Sequence, residues 1–257
     1  MRGYDILGNV AIVKFPWETS AKEKKKEAEK LLKMNKSVLT VVEKINKFKG
    51  RLRTQTTKHL AGEKGKEVVY KENGCSFRFN IDTCYFSPRL SQERLEVAES
   101  VKKGENVLVM FGGVAPFAIV IAKRSKAKRI VSVELSRECK KYALENVKRN
   151  KLEGKIEIVQ GDVRRVMPKT KEKFDRIVMA RPNLKDSFLD VALKAVKKGG
   201  TIHYYGFCKE DEIEEMKEMI EDEAKRAKKK IKIFGVERAG DIGVRKFRWR
   251  VDLKVLA

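Results

Sequence analysis

From Glu105 onward, the chain alternates short apolar runs with stretches of helical periodicity. The apolar runs are strand-like and occur in the order NVLVMF, RIVSVEL, IEIVQGDV, FDRIVMA and GTIHYYGF. Strands that alternate with helical segments of about 10 to 15 residues form βαβ units, because two parallel strands need a long crossover between them. We therefore predict an α/β fold built on a parallel sheet.

The last two apolar runs differ from the others in their connection. They read IKIFGVERA and KFRWRVDLKVL, and only GDIGVR separates them. A connection this short joins antiparallel strands. We predict an antiparallel C-terminal hairpin beside the parallel strands, with Trp249 packed in the hairpin rather than stacked on a nucleic-acid base.

The first third of the chain has a different character. YDILGNVAIVKF reads as two strands around a Gly8-Asn9 turn, and TSAKEKKKEAEKLLKMN reads as a helix capped by Thr19 or Ser20. SVLTVVEKI fits a strand or a short helix, and alternating segments with glycine turns follow it. We predict a small α+β domain at residues 1–86 and an α/β domain at residues 87–257, which opens with a helix that has Ser91 as its N-cap.

Charge is the strongest compositional signal. The chain has 60 Lys and Arg against 36 Asp and Glu, a net charge of +24, and residues 21–69 alone have 15 basic against 6 acidic side chains. A polyanionic partner explains this excess, because each neutralised phosphate releases condensed counterions. A thermophile surface rich in Lys and Glu comes nearer to balance. We therefore expect the first domain to bind nucleic acid.

Other compositional features exclude several classes of protein. The sequence has no run of about eighteen apolar residues and no signal peptide, so we expect a cytoplasmic protein without membrane contact. Its four cysteines lack CxxC spacing and it has two histidines, so we expect no metal site and no disulfide framework. We interpret the cysteines as reduced packing residues and both His59 and His203 as structural.

The ends of the strand-like runs have residues suited to a nucleoside. Ligands of an open α/β sheet bind at the carboxyl ends of its strands. Phe111-Gly112-Gly113 permits close backbone approach, Glu134 is placed to bind a ribose diol, and Asp162 could accept the amino group of an adenine. The fourth run ends in MARPN. Because GxGxxG and GK[ST] are both missing, S-adenosylmethionine fits better than a dinucleotide or a nucleoside triphosphate.

The sequence also resembles the archaeal and eukaryotic tRNA (guanine-37 N1)-methyltransferases and their relatives in wybutosine synthesis. The segments that resemble this family are RLRTQTTKHLAGE, CYFSPRLSQER, VMFGGVAPFAI, SVELSRECKKYALENVKRN, GDVRRV and GGTIHYY. The resemblance implies a class I, Rossmann-like methyltransferase domain behind a tRNA-binding domain. It further implies S-adenosylmethionine as cofactor and the anticodon stem-loop of tRNA as partner, and we expect a monomer. Many members have a further N-terminal domain that grips the tRNA corner, which we expect this chain to lack.

The resemblance also implies roles for individual residues. Glu93 becomes the candidate general base for the N1 proton of guanine, and Arg53 the residue that faces guanine O6. Arg89 could also contact the tRNA backbone or stabilise the segment with Glu93. The cofactor-binding set implied by the resemblance is Tyr85, Arg89, Phe111, Gly112, Gly113, Val114, Glu134, Leu135, Asp162, Val163, Ala180 and Pro182.

Three positions depart from the family pattern. Val109 replaces an Asp, Ala115 replaces a Gly, and Ala180-Arg181-Pro182 replaces a motif that begins with Asn. Three hypotheses follow from these departures. The protein is a guanine-37 methyltransferase, or it performs another S-adenosylmethionine-dependent modification at the same site (methylation of a wyosine precursor or aminocarboxypropyl transfer), or it is a non-catalytic tRNA-binding protein.

Overall fold

A computed structural model describes residues 3–46, 48, 50–181 and 186–256 of the chain. The N-terminal part is a four-stranded sheet in the order β1-β2-β3-β4. Its elements are β1 (Tyr4–Leu7), β2 (Val10–Val13), helix α1 (Ala21–Met34), β3 (Thr40–Lys44) and β4 (Thr57–Gly62). The segment SVLTVVEKI therefore contains a strand, and α1 is the crossover between the parallel strands β2 and β3.

The start of α1 confirms one of the two predicted caps. The Ser20 hydroxyl accepts a hydrogen bond from the Glu23 backbone N–H, and the Glu23 carboxylate accepts one from the Ser20 backbone N–H. This reciprocal pair satisfies two backbone donors that the helix itself leaves unpaired.

A separate two-stranded hairpin and a larger α/β unit follow. The hairpin is formed by β5 (Glu67–Glu72) and β6 (Cys75–Asn80). The remaining elements are α2 (Ser91–Glu99), β7 (Asn106–Met110), α3 (Pro116–Arg124), β8 (Arg129–Glu134), α4 (Arg137–Arg149), β9 (Ile156–Gln160), α5 (Val163–Val166), β10 (Phe174–Met179), α6 (Leu189–Ala195), β11 (Val196–Cys208), α7 (Ile213–Arg226), β12 (Ile231–Gly243) and β13 (Lys246–Val255).

The large sheet has seven strands in the order β12-β13-β11-β10-β7-β8-β9. Strands β7 to β11 are parallel, whereas β13 is antiparallel to both β11 and β12. This arrangement confirms the predicted parallel sheet and its C-terminal hairpin. The chain builds β8 and β9 on one side of β7 and then returns to place β10 on the other side. Such a reversal opens a crevice at the carboxyl ends of the strands.

Apolar side chains cover both faces of this sheet. Alternate residues of β7 show the arrangement: Val107 and Val109 belong to one buried cluster, Leu108 and Met110 to another. The first cluster also contains Phe77 of the β5–β6 hairpin. The hairpin and the large sheet therefore share one core, and the boundary at residue 86 stays a prediction.

Helix α2 begins differently from the prediction. Ser91 is its first residue rather than its N-cap, and the Ser91 hydroxyl accepts a hydrogen bond from the Asn73 side chain. A 3-10 turn at Pro88–Leu90 leads directly into the helix and takes the place of a side-chain cap. The prediction of Ser91 as N-cap was wrong because the proline-started turn supplies the helix entry.

Two asparagines of the α4 region join the hairpin to the large unit. Asn146 bonds both the backbone N–H and the C=O of Arg78, at 2.7 and 3.0 Å. Asn150 does the same for Ser76, at 2.9 and 2.7 Å. These side-chain amides pair with the edge of β6 as another strand would, so the edge backbone groups are satisfied.

Asn146→Ala should destabilise the fold measurably. Asn146 is fully buried, and its removal leaves the N–H and C=O of Arg78 without their partner, at a cost of about 3 kcal/mol. Urea unfolding followed by circular dichroism measures the change. Lys148→Ala, an exposed substitution on the same helix, is the control and should change stability little. Equal midpoints for both variants would contradict the assigned role of Asn146.

Candidate active site

A cavity opens at the carboxyl ends of β7, β8, β9 and β10, where the order of strands predicts a ligand site. It brings together most of the residues singled out from the sequence. Those that line it are Arg53, Tyr85, Phe111, Gly112, Gly113, Glu134, Leu135, Asp162, Val163 and Ala180.

The turn after β7 has an unusual backbone. Phe111, Gly113 and Ala115 have positive φ angles of 62°, 56° and 67°. Only glycine adopts this left-handed region without strain, so Phe111 and Ala115 hold a conformation that costs about 1 kcal/mol or more each. At Gly112 the reason for glycine is packing, since an added Cβ would lie 2.1 Å from the Ser132 hydroxyl.

Glu134 at the end of β8 is held by backbone amides. One carboxylate oxygen accepts from the Gly113 N–H at 2.7 Å and the other from the Ser136 N–H at 2.7 Å. Each oxygen retains a lone pair for a ligand, so the carboxylate can accept both hydroxyls of a ribose diol. Burial raises the pKa of Glu134, while these backbone hydrogen bonds act in the opposite direction.

Asp162 follows β9 and caps α5. Its side chain accepts from the Arg164 N–H at 2.9 Å and from the Arg51 guanidinium at 2.7 Å. Burial opposes ionisation of Asp162, but the hydrogen bonds from Arg51 and Arg164 outweigh it and lower the pKa. The carboxylate is therefore ionised near neutral pH, as a hydrogen-bond acceptor for an adenine amino group must be.

Glu93 lies deeper than the other candidates. Its carboxyl is buried and Oε1 accepts from the Tyr205 hydroxyl at 2.5 Å and from Arg250 Nη1 at 2.7 Å. Tyr205 lines the cavity, whereas Glu93 is not among its lining residues. The structure thus places the candidate base immediately behind the wall that Tyr205 forms.

A second cavity adjoins the first and is lined by cations and aromatic rings. Arg53, Tyr85 and Arg248 line both cavities. Arg53 stacks on the Tyr85 ring at 4.2 Å, and Arg248 approaches the Tyr85 hydroxyl at 3.4 Å. Burial opposes ionisation of the Tyr85 phenol, but Arg248 and Arg53 outweigh it and lower the pKa.

Arg53 stands out because its buried Nε has no hydrogen-bond partner among the residues that the structure describes. Its backbone also has a positive φ of 51°. Buried donors in native proteins are normally paired, and an orphan donor in a cavity wall is suited to a ligand acceptor.

Other sequence candidates lie elsewhere. Arg89 is at the second cavity, where it pairs with Asp5 at 3.0 Å, and Val114 is fully buried in the apolar core. Val109 is buried in the same core and does not line the first cavity. Pro182 lies outside the described residues.

Sequence reasoning missed several residues of the first cavity: Arg51, Arg94, Arg181, Tyr205 and Arg248. Arg94 forms a buried two-pronged ion pair with Glu72, at 2.5 and 2.6 Å. Tyr205 lies in GGTIHYY and Arg94 in SQER, both already singled out as segments. Arg94 lies on the same face of α2 as the apolar residues Val97 and Ala98. An arginine on an apolar helix face could have indicated a buried partner from the sequence.

No group of three or more His, Cys, Asp or Glu suited to a metal ion occurs in the described part of the chain. Within the same ranges, no helix has both the length and the apolar character needed to cross a bilayer. His203 is buried between Asp252 and Arg176, at 2.7 and 2.6 Å, in a structural network.

The parallel strands β7 to β11 and the cavity at the carboxyl ends of β7 to β10, where the strand order reverses, define a class I, Rossmann-like α/β protein. Comparison with known protein families identifies the family within this class. Residues 68–233 match the TRM5/TYW2 methyltransferase domain and residues 1–65 match the TYW2 N-terminal domain. The chain belongs to the TRM5/TYW2 methyltransferase family.

Two curated relatives are each 34% identical to this chain. One is the tRNA (guanine(37)-N(1))-methyltransferase Trm5b of Pyrococcus abyssi, aligned over 253 residues that cover 98% of this chain and 74% of that protein. The other is the tRNA (guanine(37)-N(1))/4-demethylwyosine(37)-methyltransferase Taw22 of Nanoarchaeum equitans, with 98% of this chain and 99% of that protein covered.

Two solved structures have the same fold. The complex of aTrm5 and tRNALeu superposes with a TM-score of 0.86 at 30% identity, covering 99% of this chain and 72% of that one. Methanocaldococcus jannaschii Trm5 in complex with adenosine gives a TM-score of 0.84 at 28% identity, with the same coverage.

Glu134→Ala should weaken binding of S-adenosylmethionine by about tenfold or more. The substitution removes two acceptors for the ribose diol, and hydrogen bonds to a charged group contribute about 1.5 to 3 kcal/mol each. Titration calorimetry measures the dissociation constant. Glu138→Ala, which removes an acid from the exposed start of the next helix, is the matched control and should bind normally. Wild-type affinity in Glu134→Ala would exclude the ribose role.

Proposed function

We propose that this protein transfers the methyl group of S-adenosylmethionine to N1 of guanosine 37 in tRNA. The observation that supports this most strongly is the junction of the two cavities. A nucleoside-type pocket and a cationic, aromatic pocket meet at Arg53, Tyr85 and Arg248. Relatives of this family methylate that position of tRNA according to their names.

The first cavity fits the cofactor. Glu134 would hold the ribose and Asp162 the adenine amino group, while the backbone at Gly112 and Gly113 would pass the methionine portion. When bound there, S-adenosylmethionine supplies an electrophilic methyl group. Val109, which replaces the family Asp, is buried in the core and offers no contact to that methionine portion.

The second cavity fits the target base. Base stacking on aromatic rings and cationic contacts to phosphates are the usual means of holding a single-stranded nucleotide. Its cationic wall consists of Lys14, Lys44, Arg53, Arg89 and Arg248. We propose that the anticodon stem-loop lies over this opening and that the protein acts as a monomer.

Two residues carry the chemistry in this proposal. Loss of the N1 proton must accompany formation of the N1–CH3 bond, so Glu93 serves as the general base. Negative charge then grows on O6 of the guanine. The orphan Nε of Arg53 donates to that oxygen and stabilises the transition state more than the ground state.

A second candidate function is methylation of a wyosine precursor at the same position. The Nanoarchaeum relative is named for both activities and matches this chain over 99% of its own length. In the chain itself, small Ala180 stands at the cavity where the family motif has Asn. A shorter side chain leaves more room for a tricyclic base.

The product of the reaction tests the proposed function. Unmodified tRNA incubated with the protein and S-adenosylmethionine should gain one methyl group at guanosine 37, seen as a primer-extension stop and by mass spectrometry of nucleosides. A transcript with adenosine at position 37 is the matched control and should gain none. Cofactor labelled separately in the methyl group and in the carboxyl group distinguishes methyl from aminocarboxypropyl transfer.

The other outcomes each favour a different hypothesis. Transfer only to tRNA with a 4-demethylwyosine base would support the second candidate function. Retention of the carboxyl label in tRNA would indicate aminocarboxypropyl transfer. Binding of tRNA with no transfer from either label would indicate a non-catalytic protein.

Binding of tRNA should weaken as salt rises, because neutralised phosphates release counterions. Lys14 and Lys58 are exposed, and Lys14 lines the second cavity. We expect Lys14→Ala with Lys58→Ala to reduce the slope of log K against log salt by about 1 to 2.

The matched control is Lys228→Ala with Lys230→Ala. These exposed lysines follow α7 at the amino edge of the sheet, opposite the cavities. Fluorescence anisotropy at several salt concentrations gives both slopes. Equal slopes for the two double variants would place the tRNA interface elsewhere on the protein.

A further inference from the structure

The buried carboxylate of Glu93 is held asymmetrically. Among the described residues, two side chains donate to this carboxylate, and both bonds end on Oε1: one from the Tyr205 hydroxyl at 2.5 Å and one from Arg250 Nη1 at 2.7 Å. Their donors come from neighbouring strands, since Tyr205 of β11 and Arg250 of β13 are directly paired in the sheet register. The cross-strand pair Tyr205 and Arg250 therefore donates both hydrogen bonds to the same carboxylate oxygen of Glu93.

The protonation state of Tyr205 suits a permanent donor. The tyrosine is buried, and burial together with the neighbouring Glu93 carboxylate raises its phenol pKa well above the usual value. The hydroxyl proton stays on Tyr205 throughout the neutral range. Tyr205 thus orients Glu93 without competing for the proton that Glu93 is to receive.

Arg250 is itself surrounded by acids. It contacts Glu93, Glu96 at 3.3 Å and Asp252 at 3.2 Å, and Asp252 also bonds buried His203. Burial opposes the charge of Arg250, but Glu93 and Asp252 outweigh it and raise the pKa of the guanidinium. The cation beside Glu93 is therefore permanent, and Arg250 remains a donor to Oε1 throughout the neutral range.

We propose that Tyr205 and Arg250 are positioning residues for the methyl transfer: by engaging Oε1 of Glu93 they fix the carboxylate in one orientation and leave Oε2 as the atom that accepts the guanine N1 proton. The inference rests on the proposed function. During the step the N1–CH3 bond forms as the S–CH3 bond breaks, and the N1 proton moves to Oε2.

In other enzymes, too, a catalytic base is oriented by hydrogen bonds from a third group. A base that is itself oriented by a third group needs no reorganisation when the substrate arrives. Two donors from one rigid sheet provide that orientation more firmly than loop residues could, because β11 and β13 are paired along eight residue positions.

The test measures single-turnover methylation of tRNA from pH 5.5 to 8.5 for Tyr205→Phe, Arg250→Met and Arg250→Lys. Tyr205→Phe should slow the reaction by about tenfold or more, from loss of one hydrogen bond to a charged group. Arg250→Met removes the other donor to Oε1 and should slow the reaction by a similar factor. Arg250→Lys keeps a cationic donor at this position and should restore most of the rate.

Matched controls separate positioning from general damage. Tyr142→Phe removes another tyrosine hydroxyl that donates to a carboxylate, that of Glu67, and Arg129→Met removes another arginine from between two carboxylates, Glu157 and Glu172. None of these control residues lines the first cavity. Both control variants should keep the wild-type rate and pH profile.

The Glu93→Gln variant distinguishes a failure of the proposed base role from a failure of the positioning role. If Glu93→Gln keeps the wild-type rate, the base assignment in the proposed function is wrong. If Glu93→Gln is slow while Tyr205→Phe and Arg250→Met behave as wild type at every pH, only the positioning role is overturned. The positioning role also requires that Tyr205→Phe adds no further loss in the Glu93→Gln background, because residues that act as one unit are not additive.

Discussion

Two consecutive charged residues of α2, Glu93 and Arg94, connect this helix to two different parts of the structure beside the first cavity. Arg94 points to the β5–β6 hairpin, where it forms the buried ion pair with Glu72, and Glu93 points to the large sheet, where it contacts Tyr205 and Arg250. A buried ion pair that loses one partner leaves an uncompensated charge at a cost of about 3 to 5 kcal/mol. The helix therefore cannot shift towards either side without breaking one of these contacts.

The sequence predicted those parts of the site that local rules determine. Glu134 and Asp162 could be found because each follows a strand, and the ends of parallel strands meet at one edge of a sheet. The C-terminal hairpin was predicted from the short connection between its two strands, whereas the strand reversal at β7 is known only from the structure. Arg53 and Glu93, in contrast, were named through family resemblance and stay proposals.

Partners that are distant in the chain could not be predicted. Tyr205 and Arg250 lie 112 and 157 residues from Glu93, and their register across β11 and β13 brings them together. The entry of α2 was missed because the 3-10 turn at Pro88–Leu90 runs directly into the helix, so Ser91 is its first residue and bonds Asn73 of the hairpin. Pairing between strands and docking of units, rather than local propensity, decide these contacts.

The positions that depart from the family pattern, Val109, Ala115 and Ala180-Arg181, have different surroundings in the structure. Val109 is part of the apolar core and does not line the first cavity. Ala115 keeps the left-handed backbone that glycine would adopt freely, so the turn is preserved at the expense of strain. Arg181, which follows Ala180, is buried and donates to the backbone oxygens of Tyr205 and Asp186, at 3.0 and 2.9 Å.

One short segment of the N-terminal part reaches both cavities. Arg51 pairs with Asp162 at the adenine side, and Arg53 stacks on Tyr85 where the cavities meet. Two residues apart, they connect the element expected to meet tRNA with the carboxylate expected to meet the cofactor. Each oxygen of Asp162 accepts one hydrogen bond, from Arg51 or from the Arg164 N–H, and keeps a second acceptor position. The N-terminal part therefore contributes side chains to the walls of both cavities.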